Sequence, residues 1–347
     1  LQQHGITRFT IGQTEDAIRA AHEAQPSDWF VYSSALPKEH PDHPELRFVQ
    51  AHGIKNSKRD EFLTYLLSEK QLKLIAVAGT HGKTTTTAMA IWLFKQLDIP
   101  ISYSVGAKLS FGDMGAFDAS SDYFVYECDE YDRNFLSFRP YLSTISGIDW
   151  DHADIYPTRE DYYQAFREYI NQCERVVMWQ ADAERLGLEA SEHIIVLEDN
   201  APLVDSITLP GLVNRQDAAL VAHAVAELTN RNASEMVEDL TLFPGVSRRF
   251  EALQPHLYTD YAHTPKKIEG ALQLAHEVAG DNVVVVYEGL HNTRQHFIRD
   301  DLAHLFDTVK RLVVVPSYLA REDQNLPLLS PAEIIGLTSH PEKAQVA

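Results

Sequence analysis

The sequence predicts an α/β protein of more than one domain, with a parallel sheet at its centre. Three observations carry that expectation. Apolar runs of strand length alternate with helix-period segments along most of the chain. One of them, "LKLIAVA" (72–78), is continuously apolar, the pattern of a parallel strand covered on both faces. And 347 residues are too many for one compact core.

Taken in order, "DWFVYSSALP" (28–37) reads as a strand entering a turn. "SKRDEFLTYLLSEK" (57–70) has helical spacing, with Phe62, Leu63, Leu66 and Leu67 on one face. After the 72–78 strand, a helix begins within a run of threonines and carries Met89, Ile91, Trp92 and Phe94. "DYFVYE" (122–127) and "YLSTISGI" (141–148) are strands, "REDYYQAFREYI" (159–170) a helix, and "ERVVMW" and "HIIVLE" two further strands. "NRQDAALVAHAVAELT" (214–229) is a helix with an alanine and leucine face. The character of the chain resets near "FPGVSRRFEAL" (243–253). "LYTDYA", a helix from Pro265, "NVVVVYE", a helix near 298–308 and "RLVVVPS" then imply a second parallel unit. The expected divisions are 1–71, 72–249 and 250–347.

Composition narrows the function. Apolar residues make up 44% and charged residues 23%, an ordinary globular balance. No stretch approaches the ~18 apolar residues of a spanning helix, so membrane insertion is not expected. The start lacks signal-peptide features and an initiator Met, as in a chain that begins inside a longer protein. Two cysteines, Cys128 and Cys173, exclude a disulfide framework and fit a reducing cytoplasm. A net charge of -20, with no Lys/Arg run, argues against nucleic acid. An anionic ligand then needs a helix terminus, a few placed cations or a metal.

"IAVAGTHGKTTTTAMA" (75–90) supplies those features. A strand, then Gly79-Thr80-His81-Gly82-Lys83-Thr84, then a helix is the layout of a phosphate-binding loop. Glycines let backbone N–H groups approach phosphate, Lys83 reaches the outer phosphates and Thr84 can ligate Mg²⁺. Only two residues separate Gly79 from Gly82, shorter than the common spacing. "YFVYECDEYDRNF" ends a strand in Glu127, at the sheet edge where a carboxylate can hold Mg²⁺. Asp129, Glu130 and Asp132 follow, and for Glu130 and Asp132 a solvated acidic loop is an equal reading. In "GIDWDHADIYP" (147–157), His152 sits among Asp149, Asp151 and Asp154, as a metal or phosphate neighbour or as a structural histidine.

Together these segments resemble the Mur ligases, ATP-dependent amide-forming enzymes of peptidoglycan synthesis. "GTHGKTTTT" is similar to the UDP-N-acetylmuramate–L-alanine ligase branch, as are "ECDEYDRNF" and "DWDHADIYP". "LPGLVNRQDAALVAHAV" resembles the Gly-x-His-Asn-x-x-Asn signature, with Val213 for the His and Asp217 for the second Asn. "GVSRRFE", "YTDYAHTP" and "YEGLHNTR" complete the likeness. The resemblance implies a three-domain architecture. It comprises a partial amino-terminal Rossmann-like domain, a central P-loop ATPase domain and a carboxyl-terminal Rossmann-like domain, both ends apparently shortened.

It also implies roles. The 79–85 loop (Gly79, Thr80, His81, Gly82, Lys83, Thr84, Thr85) would hold ATP, and Thr84, Glu127 and His152 would serve Mg²⁺. Asn214 would lie near adenine, Arg249 near the γ-phosphate and Asp260 near ribose. Tyr261, His263 and Arg294 would position the incoming amino acid, and Ser33 and Ser34 the UDP-sugar. The implied partners are UDP-N-acetylmuramate and an amino acid, L-alanine being favoured. "DEYD", "DHADIYP" and "HNT" also resemble murein tripeptide ligase, and an ATPase switch without ligation is a rival class.

Overall fold

A computed structural model describes residues 8, 10, 12–152, 155–319, 322–323 and 325–347. Asp154 of the third motif, and most of the opening decapeptide, lie outside them. The amino-terminal elements are α1 (Glu15–Ala24), β1 (Phe30–Tyr32), α2 (Ala35–Glu39), α3 (Pro44–Ala51), β2 (Asn56–Lys58) and α4 (Arg59–Glu69). β1 and β2 pair in parallel over a small core of Phe48, Val49 and Ile54. The turn expected after β1 is a short helix. Of the four apolar residues expected to form one face of α4, only Leu67 is fully buried. The other buried residue of that helix is Asp60, whose carboxylate accepts from Tyr126 Oη at 2.5 Å.

The central elements are β3 (Lys73–Ala78), α5 (Lys83–Gln96), β4 (Ser102–Ser104), β5 (Gly115–Ala116), β6 (Tyr123–Glu127), β7 (Leu142–Ile145), α6 (Arg159–Gln172), β8 (Val176–Trp179), α7 (Gln180–Leu186), β9 (Ile194–Leu197), α8 (Pro202–Ser206), α9 (Leu212–Ala226) and α10 (Val237–Thr241). Seven strands form one sheet in the order β5-β4-β6-β3-β7-β8-β9, parallel except for β5. Successive residues of β3 serve opposite faces: Ile75 packs with α5 and α9, while Leu74, Ala76 and Ala78 pack with α6. Burial on both sides is why the run shows no polar alternation. On α5, Met89, Ile91, Leu93 and Phe94 are all fully buried, each worth roughly 1.5–3 kcal/mol of transfer free energy. Trp92 stays partly buried because its indole N–H donates to Asp239 O at 2.7 Å.

The last elements are β10 (Glu251–Gln254), β11 (Leu257–Thr259), α11 (Pro265–Ala279), β12 (Val284–Leu290), α12 (Asn292–Phe297), α13 (Leu302–Leu305), β13 (Arg311–Tyr318), α14 (Pro331–Leu337) and β14 (Ala344–Val346). β12, β13 and β14 form a parallel sheet. Two expectations change here. "LYTDYA" supplies β11 of an antiparallel hairpin with β10, outside that sheet, because Leu257 and Tyr258 are exposed rather than covered by helices. The helix expected near 298–308 is interrupted between α12 and α13, where Asp300 and Asp301 favour a turn and Asp301 begins the next helix. A helix and a strand, α14 and β14, follow "VVVPSY".

Candidate functional site

Three loops meet beyond the carboxyl ends of adjacent strands: 79–82 after β3, 128–130 after β6 and 146–152 after β7. Glycine is required at two places in the first. Gly79 has φ +137°, and a Cβ there would lie 2.7 Å from Ser146 Oγ. Gly82 has φ +73°, and a Cβ would lie 2.9 Å from Asp217 Oδ1. Thr80 is a clamp: its N–H donates to Gly147 O at 2.7 Å, and its hydroxyl takes part in bonds with Asp149 N, Asp149 O and Tyr162 Oη. That hydroxyl therefore faces the third loop. Burial lowers the His81 pKa; its Nε2 stands 3.8 Å from Asp149 Oδ2, too far for a hydrogen bond.

Lys83 opens α5 and folds back over the loop. Its Nζ donates to Gly79 O at 2.8 Å and to Glu130 Oε2 at 2.5 Å, with Asp129 at 3.6 Å. Glu130 is 1% exposed. Burial opposes both charges, yet their mutual attraction prevails, holding the ammonium above and the Glu130 carboxyl below their ordinary ranges. Asp129 moves the other way, raised by burial and by Glu130. His152, with φ +59°, lies 3.6 Å from Glu130 Oε1; against the opposing effect of burial, Glu130 and Asp151 raise its pKa.

A second network runs beside the first. Thr84 Oγ1 donates to Glu127 Oε1 at 2.8 Å and accepts from Arg249 Nη2 at 3.3 Å; Glu127 Oε2 accepts from Gly106 N at 2.9 Å. The Thr84 hydroxyl and Glu127 carboxylate are hard oxygen donors already in contact, which fits Mg²⁺. His152 does not join that pair, since its nearest carboxylates are Glu130 and Asp151. Among the described residues no group of three or more His, Cys, Asp or Glu has a metal-holding arrangement.

The carboxyl-terminal segment reaches the cluster through Arg294, and the junction that precedes it does so through Arg249. Arg294 on α12 places Nη1 3.2 Å from both oxygens of Asp151, and Arg249 is the residue already met at Thr84. His263 Nδ1 lies 2.7 Å from Tyr261 O, a geometry that puts the proton on Nδ1 and leaves the Nε2 lone pair 3.5 Å from Lys267 Nζ. Burial and the Lys267 charge lower the His263 pKa to about 3, and burial with Lys83 lowers that of Lys267 to about 8. Tyr261 is exposed, with the guanidinium groups of Arg248 and Arg249 5.1 and 5.4 Å from its ring centre.

Other sequence-predicted residues stand apart. Asp260 accepts from Phe250 N and Ala262 N, both at 2.7 Å, tying the inter-segment junction to the end of the β10–β11 hairpin. Asn214 donates to Pro210 O at 2.8 Å within the start of α9. Thr85 is half-buried on the first turn of α5. Ser33 lies two residues before α2, its Oγ 3.4 Å from Ala35 N; Ser34, at the cap of that helix, accepts through Oγ from Asn134 Nδ2 at 3.1 Å, linking the amino-terminal segment to the loop after β6. Sequence reasoning left out Lys267, although "TPKK" beside His263 was a visible signal, and left Glu130 open between a functional carboxylate and a solvated acidic loop. Nothing in an acidic loop distinguishes its one buried carboxylate.

The chain matches the sequence model of the Mur ligase middle domain over residues 77–203. It is 30% identical to a UDP-N-acetylmuramate–L-alanine ligase of Paenarthrobacter aurescens over 316 residues, covering 81% of this chain and 69% of that one. In fold it is similar to a UDP-N-acetylmuramate-alanine ligase from Thermotoga maritima, at TM-score 0.69 and 23% identity over 84% of this chain and 72% of the other. A murein peptide ligase from Psychrobacter arcticus gives TM-score 0.65 and 19% identity over 100% and 82% of the respective chains. With the phosphate loop, the buried Lys83–Glu130 pair and the Thr84–Glu127 contact on adjacent strand ends, the chain belongs to the Mur ligase family.

Proposed function

We propose that the protein is an ATP-dependent ligase that joins L-alanine to the lactyl carboxylate of UDP-N-acetylmuramate, giving ADP and phosphate. The observation that carries this reading is the convergence of two arginines on the phosphate-loop edge, Arg249 from the junction at Thr84 and Arg294 from the last segment at Asp151. An ATPase switch needs the loop alone; a ligase needs a second reactant brought to the same place.

In this reading the sugar carboxylate attacks the γ-phosphorus, ADP departs, and the amine then attacks the acyl phosphate, losing a proton and expelling phosphate. Mg²⁺, when bound, neutralises phosphate charge. The chain's own residues position and neutralise. The amides of 79–82 and the start of α5 face phosphate. Lys83 exchanges Glu130 for a phosphate oxygen, and Thr84 and Glu127 supply the oxygens for the ion, with His152 steadying Glu130. Arg249 stands beside the γ-phosphate, and Asn214 and Asp260 serve adenine and ribose. Tyr261, neutral His263, Lys267 and Arg294 receive the amino acid, the cations facing its carboxylate. Ser33 and Ser34 lie on the sugar side. The 1–71, 72–249 and 250–347 divisions correspond to sugar, nucleotide and amino-acid binding. Among the described residues no helix is long and apolar enough to cross a membrane, which suits a nucleotide-dependent reaction in the cytoplasm.

The test is phosphate release with ATP, Mg²⁺ and UDP-N-acetylmuramate, with L-alanine and the L-alanyl-γ-D-glutamyl-meso-diaminopimelate tripeptide supplied separately. Release dependent on the sugar and on L-alanine is expected. Dependence on the tripeptide alone would reassign the acceptor, and release indifferent to sugar and amine would establish the switch.

A further inference from the structure

Asp217 on α9 is 2% exposed and sits directly beneath the phosphate loop, its carboxyl oxygens 2.9 and 3.0 Å from where a Cβ on Gly82 would be. Oδ2 has no hydrogen-bond partner. The nearby hydroxyl is that of Thr86, and its single proton is committed elsewhere: Thr86 Oγ1 donates to Gly82 O at 3.0 Å. Among the described residues no cation compensates. Lys83 is bonded to Glu130, Arg215 on the same helix is paired with Glu277, and Lys95 donates to Phe111 O. His81 faces Asp149, and Lys267 on α11 faces His263. His223, further along α9, is itself held neutral by burial. Glu235 caps its own turn at Asn232, while Asp205 on α8 and Glu238 on α10 are exposed. β7 and β8 carry no charged residues.

An ionised carboxylate without cation or donor in such a place is untenable, whereas a carboxylic acid is not. The Thr86 oxygen has a free lone pair, and a protonated carboxyl has the hydrogen to fill it. We infer that Asp217 is a neutral carboxylic acid that donates to Thr86 Oγ1 and so backs the phosphate loop as an amide would. Burial raises its pKa well above the usual carboxylate range and outweighs the lowering influence of the Thr86 hydroxyl. A donor is thereby kept at a position where the signature of the resembled family has Asn, and no negative charge is set under the polyphosphate. Asp217 is a positioning residue: it acts through Thr86 and Gly82, not on substrate. Its protonation stands independently of the ligase reading, but its consequence for nucleotide rests on that reading.

Two measurements test this. In the full chain with 13C-labelled aspartate carboxyls, the resonance lost in Asp217→Asn should stay at its protonated position from pH 5 to pH 8. A resonance that titrates with the exposed aspartates, already ionised at pH 5, would overturn the inference. Mg·ATP binding is then compared at pH 7 for wild type, Asp217→Asn and Asp217→Ala, each confirmed folded by circular dichroism. Asn should bind within about threefold of wild type and Ala at least tenfold more weakly. Equal losses in both would overturn the positioning role. If Mg·ATP binds none of the three, the ligase reading fails while the resonance still decides the protonation.

Discussion

The phosphate-loop edge and the acceptor side of the site are built differently. At the edge the named side chains have internal partners: Lys83 has Glu130, Thr84 has Glu127, and Thr80 clamps the 147–149 segment. These residues lie on loops fixed by hydrogen-bonded strands, so the edge is formed before any ligand arrives. On the acceptor side, Tyr261 is exposed, His263 and Lys267 face each other without a carboxylate between them, and the tie to the edge runs through a few long contacts. One half is rigid and charge-balanced; the other is short of an anion. Under the proposed roles, phosphate chemistry is preorganised, whereas the acceptor half would complete its bonding on taking up a ligand.

The most damaging change should fall in the rigid half. Lys83→Ala is expected to lower kcat by about 10²–10³-fold in a phosphate-release assay. A rate near wild type would remove Lys83 from the phosphate site. Glu130→Gln separates charge from position, because it keeps the shape and frees the lysine.

Support for the third loop should show as pH-dependent stability. Asp182 accepts from Ile148 N at 2.9 Å and is pushed by burial to a pKa of about 6. Since its folded pKa lies above the unfolded value near 3.9, the ionised form is disfavoured on folding. The wild type should therefore gain stability as pH falls from about 6 to about 4. The gain is on the order of 2 kcal/mol. Chemical denaturation across that window should show the slope in wild type and a flatter one in Asp182→Asn. Equal slopes would locate the proton uptake elsewhere.

In the anion-short half, Arg294→Ala should raise KM for L-alanine by roughly 10-fold or more, with KM for ATP little changed. A rise confined to ATP would move Arg294 to the phosphate site. The smallest effect belongs to the amino-terminal link: Ser34→Ala removes one hydrogen bond of about 1 kcal/mol. It should raise KM for UDP-N-acetylmuramate a few-fold, and an unchanged sugar KM would leave Ser34 a structural cap for Asn134.

The contrast also explains what could be read in advance. The glycines, Lys83 and Thr84 are legible because they form one contiguous stretch whose conformation is local. β3 was legible because a strand covered on both faces must be apolar throughout. The short strands β4 and β5 were not, since three and two residues carry too little pattern. Glu130 and the protonation of Asp217 gained meaning only from residues far away in sequence.

What the amino-acid order decided by itself was the backbone that faces phosphate, because glycine conformation and helix polarity need no distant partner. Which carboxylates stay charged was decided by the tertiary structure alone. Glu130 is ionised beside Lys83, and Asp217 is neutral beneath Gly82, although both are equally buried. Burial penalises any charge, and only a neighbour brought in by the fold can repay that cost.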